Sequence, residues 1–177
     1  CKSKLTTEIL YSSTCPASMA LSLEVWKQSL EKEFSGETHL SVEKINHWID
    51  SLHGMPAAPH AQRSRAHVLV EIVGDEFGPQ ELIEGLERVL QTPVQTAVKR
   101  MDEQEFARLN GQNPLFCEDA AHLVQNWLET LPSVKGYKAT FEHQESLHAH
   151  NAVAVIEKSK SVINENDYYL LTLRLAA

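Results

Sequence analysis

The clearest alternation in the chain runs from Ala66 to Val73, where Val68, Val70 and Ile72 interleave with His67, Leu69 and Glu71. A period of two puts one set on each face of a strand. Leu5 to Ser12 is rich in β-branched and aromatic residues and predicts a second strand. Tyr137 to His143, Asn151 to Glu157 and Tyr168 to Leu175 predict three more. Between these runs the period lengthens to that of a helix. Ser18 to Phe34 carries Leu23, Trp26 and Leu30 at helical spacing, opened by Pro16 and closed by Gly36. Ser41 is placed to cap a second helix, with Glu43 in its first turn and Ile45, Trp48, Ile49 and Leu52 along one stripe. Glu81 to Leu90, Asp102 to Leu109 and Cys117 to Leu131 predict three further helices. Breakers separate the elements: Gly54 to Pro59, Gly74 and Gly78, Asn110-Gly111, Asn113-Pro114 and Pro132-Ser133. Pro93 to Val98 reads as a short strand or an extended link. Strands, then helices, then strands predict an α+β fold with the helices packed on one face of an antiparallel sheet.

Composition narrows the function classes. A chain of 177 residues buries a sizeable core and suggests one domain or two small units. No apolar run approaches the roughly 20 residues that span a bilayer, and the polar start is not a secretory signal. The first residue is Cys rather than Met, so an upstream segment is expected. Cys1, Cys15 and Cys117 form no CxxC pair, which argues against a disulfide scaffold or a zinc finger and suggests reduced, cytoplasmic thiols. A net charge of -8 disfavours a general nucleic-acid binder. A polyanionic substrate would need a local basic group. His60 to Arg65 (His-Ala-Gln-Arg-Ser-Arg) and Lys99-Arg100 are the two on offer, set against scattered surface charge as the plainer reading.

Several residues could carry chemistry. Cys15 stands at a strand-to-helix junction, where a helix N-terminus favours thiolate, although a lone cysteine is commonly a small buried hydrophobe. His148 and His150, two apart on an uninterrupted strand, would share a face, and Glu145 would join them only through a turn or bulge. His60 lies beside Arg63 and Arg65, whose guanidinium forks suit phosphate. Glu103 and Glu118 fall near predicted helix starts, where an acidic residue is often only a dipole or capping partner. Cys117 reads as core. No P-loop, dinucleotide fingerprint or Gly-X-Ser-X-Gly elbow is present.

Five segments in order resemble the type IB GTP cyclohydrolase I family. They are Ser13-Thr14-Cys15-Pro16-Ala17-Ser18, His60-Ala61-Gln62-Arg63-Ser64, Lys99-Arg100-Met101-Asp102-Glu103, Asn113-Pro114-Leu115-Phe116-Cys117-Glu118-Asp119 and Glu145-Ser146-Leu147-His148-Ala149-His150. The resemblance runs from about Leu5 to Val155. It implies the tunnelling fold, with the whole of residues 1–177 as a C-terminal module whose N-terminal partner module is not in this sequence, and assembly into a homo-oligomer, dimer or tetramer. It implies a divalent metal (Zn, Fe or Mn) held by Cys15, Glu103 and His148, with His60 able to join, and Glu118 anchoring the purine. Cys15, His60, Glu145 and His150 become the expected catalytic groups. Arg63, Arg65, Lys99 and Arg100 become the expected contacts of the GTP triphosphate. The implied reaction opens the imidazole ring of GTP, releases C8 as formate and recloses to 7,8-dihydroneopterin triphosphate, the first step of tetrahydrofolate biosynthesis. The implied metal would lower the pKa of a bound water for attack at C8. Two departures stand out. Ala17 occupies a position where many relatives carry a second cysteine, and Glu24 to Met55 is longer than in shorter relatives and reads as extra helical structure. The alternatives are an archaeal-type cyclohydrolase with a cyclic phosphate product, and a non-catalytic purine- or pterin-binding module.

Overall fold

The computed structural model describes residues 2–52, 54–74 and 77–158, with residues 169–173 described as backbone alone. Cys1 lies outside the described residues. The chain divides into two compact units, Cys15–His60 and the remainder, Cys1–Thr14 with Ala61–Ala177.

The larger unit is built on five strands: β1 (Lys2–Thr14), β2 (Ala61–Val73), β3 (Val134–His143), β4 (Ala152–Lys158) and β5 (Tyr169–Leu173). They lie in the order β4-β3-β2-β1-β5. The first four are mutually antiparallel, as the sequence predicts. β5 instead runs parallel to β1, from Ser3↔Tyr169 to Thr7↔Leu173. The β1–β2 ladder is unbroken from Lys2↔Val73 to Thr14↔Ala61. It is longer than the alternation alone marks out, because the basic residues Arg63 and Arg65 are themselves in β2 on its exposed positions.

Three helices belong to this unit: α3 (Pro79–Leu90), α4 (Arg100–Gln112) and α5 (Cys117–Glu129). The apolar stripes of α3 and α5 meet one face of the sheet. Leu5, Ile9, Tyr11, Val68, Val70, Tyr137, Ala139 and Phe141 are buried there in one cluster with Leu82, Leu86 and Leu90 of α3 and Ala120, Val124 and Leu128 of α5. Gly85 lets the two helices close up, since a Cβ there would sit 2.0 Å from the Trp127 ring. α4 contributes no buried residue. Of the two readings of Pro93–Val98, a short strand or an extended link, the link is the one found. Pro93 makes only an isolated bridge to Tyr11, and the proline ring cannot donate to a ladder. The α+β tunnelling-fold arrangement, antiparallel strands with helices on one face, holds.

The smaller unit contains α1 (Pro16–Glu33) and α2 (Val42–Ser51). Its core is aromatic: Trp48 meets the Trp26 and Phe34 rings edge-on at 6.0 and 5.8 Å. The Trp26 indole N–H donates to the Ala57 carbonyl at 2.9 Å. The stripe predicted for α1 is only partly used. Trp26 and Leu30 are half-buried while Leu23 is 56% exposed, and Ser22 is the single buried residue of the helix.

Candidate active site and metal ligands

One end of the larger unit's sheet gathers part of the chemistry that belongs to it. There β1 ends at Thr14, β2 begins at Ala61 and β3 ends at His143. The segment before α5 is tied to the same end, since the Leu115 N–H donates to the Thr14 carbonyl at 3.0 Å. At the first turn of α5 the Cys117 thiol donates to the Phe141 carbonyl at 3.4 Å. Cys117 is therefore core, as its sequence context predicts, and burial pushes its thiol pKa up.

Glu118 follows it, exposed at the start of α5. The capping task at this helix goes to Asp119, whose carboxylate accepts from the Phe116 N–H at 3.1 Å. α4 repeats the arrangement: Asp102 accepts from the Lys99 N–H at 2.7 Å, and Glu103 beside it is exposed. In both helices the aspartate takes the orphan backbone donor, so neither glutamate is the cap.

Beyond β3 the chain does not continue as a strand. Residues 144–151 form a loop, as the predicted strand bounds leave it, so His148 and His150 do not occupy strand positions and the turn that brings Glu145 near His148 is present. Asn151 pins the loop shut, accepting from the Glu145 N–H at 3.1 Å and donating to Glu142 at 2.6 Å. The Glu145 carboxylate accepts from the Gln62 side-chain amide at 2.8 Å. One oxygen of Glu145 and one ring nitrogen of His148 lie within 4.8 Å of each other. The His148 and His150 rings stack at 5.8 Å and 28°. A carboxylate and an imidazole so placed suit Zn, Fe or Mn equally.

The smaller unit begins and ends on two expected site residues. Cys15 caps α1, its Sγ accepting from the Ser18 N–H at 3.5 Å, with Pro16 in the first turn. The Cys15 N–H donates to the His60 carbonyl at 3.1 Å, and the His60 N–H donates to the Ser18 hydroxyl at 3.2 Å.

The remaining expected residues are spread out. Arg63 and Arg65 alternate with Gln62 and Ser64, so they project from the side of β2 away from the helices, and Arg65 pairs with Glu8 at 3.6 Å. Lys99 and Arg100 are exposed at the start of α4. Neither Cys15 nor Glu103 belongs to a group of three or more ligand residues within 4.8 Å of one another among the described residues.

Sequence reasoning passed over His143. Its ring is 2% exposed, with Nε2 2.9 Å from the Tyr11 hydroxyl and Nδ1 3.3 Å from the Ser13 hydroxyl. Ser13 in turn meets Ser64 at 2.7 Å. Burial lowers the pKa of His143, against the opposing charges of Glu145, Glu118 and Asp119. The signal was available: Ser13, Ser64 and His143 continue the buried phase of their strands.

Comparison with known proteins fixes the family. The sequence profile described as type I GTP cyclohydrolase folE2 matches residues 1–154. The chain belongs to this FolE2 family. Its family is thereby given as FolE2, where the sequence reading named type IB. Among relatives, GTP cyclohydrolase FolE2 of Bdellovibrio bacteriovorus is 49% identical over 150 residues, covering 85% of this chain and 49% of the relative. The FolE2 proteins of Pseudoalteromonas atlantica and Pseudomonas putida are 47% and 44% identical, again over 85% of this chain and 49% and 50% of their own length. The chain thus spans about half the length of the curated relatives it matches. Among the described residues no helix is long and apolar enough to cross a membrane.

Proposed function

We propose that this FolE2-family chain is the C-terminal module of a type IB, metal-dependent GTP cyclohydrolase, acting as a homo-oligomer that converts GTP and water to 7,8-dihydroneopterin triphosphate and formate. The observation that carries the reading is the Glu145–His148 pair, held in a pinned loop at the sheet end where Glu118 also begins its helix. Cys15, Glu103, His148 and His60 are the proposed ligands of a Zn, Fe or Mn ion, and Glu145 is added to them. When bound, the metal supplies Lewis-acid activation of water for attack at C8 of the purine.

The chain's own residues supply selectivity and proton handling. The Glu118 carboxylate accepts hydrogen bonds from the guanine N1–H and 2-amino group, an arrangement adenine cannot offer. His150 and His60, as imidazoles, move protons to and from the purine ring nitrogens. Arg63, Arg65, Lys99 and Arg100 are the proposed contacts of the triphosphate.

The test uses the full-length protein loaded in turn with Zn, Fe and Mn and given GTP. Formate and a pterin that fluoresces after oxidation are expected, with both lost in Cys15→Ala. Guanine binding without formate under all three metals would refute the enzyme reading in favour of a binding module. A cyclic phosphate product would replace it with the archaeal-type reaction.

A further inference from the structure

Most of the helix-facing layer of the sheet is apolar, yet at the Thr14–Ala61 end four polar side chains are buried together. Tyr11, Ser13, Ser64 and His143 are each 0 to 2% exposed and joined by the contacts described above. Burying polar groups is unfavourable unless every one is matched, and an apolar cluster of the same volume would avoid that penalty. Area alone therefore does not account for this cluster.

Its placement does. His143 is the last residue of β3 and pairs with Ser64 across the ladder. The next residue, Gln144, adds one more bond, its N–H donating to the Arg63 carbonyl at 3.1 Å. Glu145 comes next, bonded to Gln62. Gln62 and Ser64 are two apart on β2 and share the buried face. The same strand therefore holds His143, through Ser64 and Ser13, and Glu145, through Gln62. The Tyr11 and His143 rings meet edge-on at 5.7 Å, which fixes the imidazole plane as well as its two nitrogens.

We propose that His143 is a positioning residue: clamped between Tyr11 and Ser13, it fixes where β3 stops and thereby where the Glu145 carboxylate points. Its bearing on catalysis rests on the functional reading above; the geometric claim about Glu145 does not. A neutral imidazole has one donor and one acceptor nitrogen, so the bonds run in one sense through Ser13, the ring and Tyr11. A phenyl ring in its place keeps the volume and loses both bonds.

The decisive variant is His143→Phe in the full-length protein, with His143→Gln as the conservative partner. Two quantities are read: amide hydrogen exchange of peptides covering residues 144–151 and 66–72, and the separate kcat and KM for GTP. In His143→Phe the loop peptide should exchange about tenfold faster while the β2 peptide is unchanged. Under the same substitution kcat should fall about 10- to 100-fold with KM nearly constant, and His143→Gln should recover part of the loss. Wild-type exchange in the loop, or a gain spread equally over both peptides, overturns the proposal. If His143→Phe does not fold, Tyr11→Phe and Ser13→Ala must loosen the same loop peptide, and unchanged exchange in both overturns it. If wild-type protein never turns over GTP, the functional reading fails while the exchange comparison still decides the role of His143.

Discussion

Along the same strands, the helix-facing layer changes character from one end to the other. Leu5, Ile9, Val68, Val70, Ile72, Tyr137 and Ala139 fill one stretch, and Tyr11, Ser13, Gln62, Ser64 and His143 fill the other. Both stretches are buried, so exposure does not separate them. The apolar stretch stabilises in proportion to area removed from water, at about 25 cal/mol per Å². The polar stretch yields less per unit area, because each hydrogen bond formed replaces one to water. What it gives is direction, since hydrogen bonds fix orientation where dispersion contacts do not. Of the expected site residues of this unit, Glu118, Glu145 and His148 lie next to the polar stretch.

Substitutions at the two ends should therefore fail in different ways. The largest effect belongs to the apolar cluster: Leu86→Ala should cost about 2–5 kcal/mol, read from the urea midpoint. If the full-length protein still folds, its KM for GTP should be unchanged. Next, Glu118→Gln should lower kcat/KM for GTP about 10- to 100-fold, the worth of a charge-assisted hydrogen bond, while leaving the urea midpoint in place. A stability loss there instead would mean that Glu118 belongs with the packing.

Alkaline pH tests the buried thiol and phenols without mutation, at the polar end chiefly and also at Tyr137 of the apolar stretch, whose hydroxyl burial likewise holds protonated. Burial holds the Cys117 thiol and the Tyr11 hydroxyl protonated above their ordinary values of 9.0 and 10.0. The unfolded chain releases those protons at the ordinary values and the folded chain keeps them. Stability should thus be complete below about pH 9 and fall as pH climbs through both values. Urea midpoints between pH 8 and 10.5 measure this, and Cys117→Ala should remove the earlier part of the fall. The smallest effect is expected on the opposite side of the sheet. Arg65→Ala breaks the exposed pair with Glu8 and should change stability by less than about 1 kcal/mol. A rise in KM for GTP in that variant would place Arg65 on the triphosphate.

The strands were legible in the sequence wherever one face is apolar, as at Val68, Val70 and Ile72. The same rule obscured the polar end. Ser13, Ser64 and His143 stay in the buried phase but lack apolar character, so periodicity of hydrophobicity passes over them. The predicted strand bounds left Glu145, His148 and His150 between two strands, where they lie, and the turn that Glu145 requires is present. What alternation does not encode is the Asn151 side chain, whose bonds to Glu145 and Glu142 pin the loop. Helix α1 shows the opposite failure. Leu23 keeps helical spacing with Trp26 yet faces outward, because the small unit buries aromatic rings rather than a continuous stripe.

The smaller unit leaves β1 after Thr14 and rejoins β2 at Ala61, residues paired in the ladder, and within that unit the Cys15 amide donates to the His60 carbonyl and so clasps its own two ends. A clasp of this kind insulates the strands from whatever length of chain lies beyond it. Doubling such an excursion adds only about 0.6 kcal/mol of closure entropy. Insertions and deletions between α1 and α2 can therefore accumulate or be engineered without altering the register of β1 and β2, and Cys15 and His60 keep their places in the chain beside it.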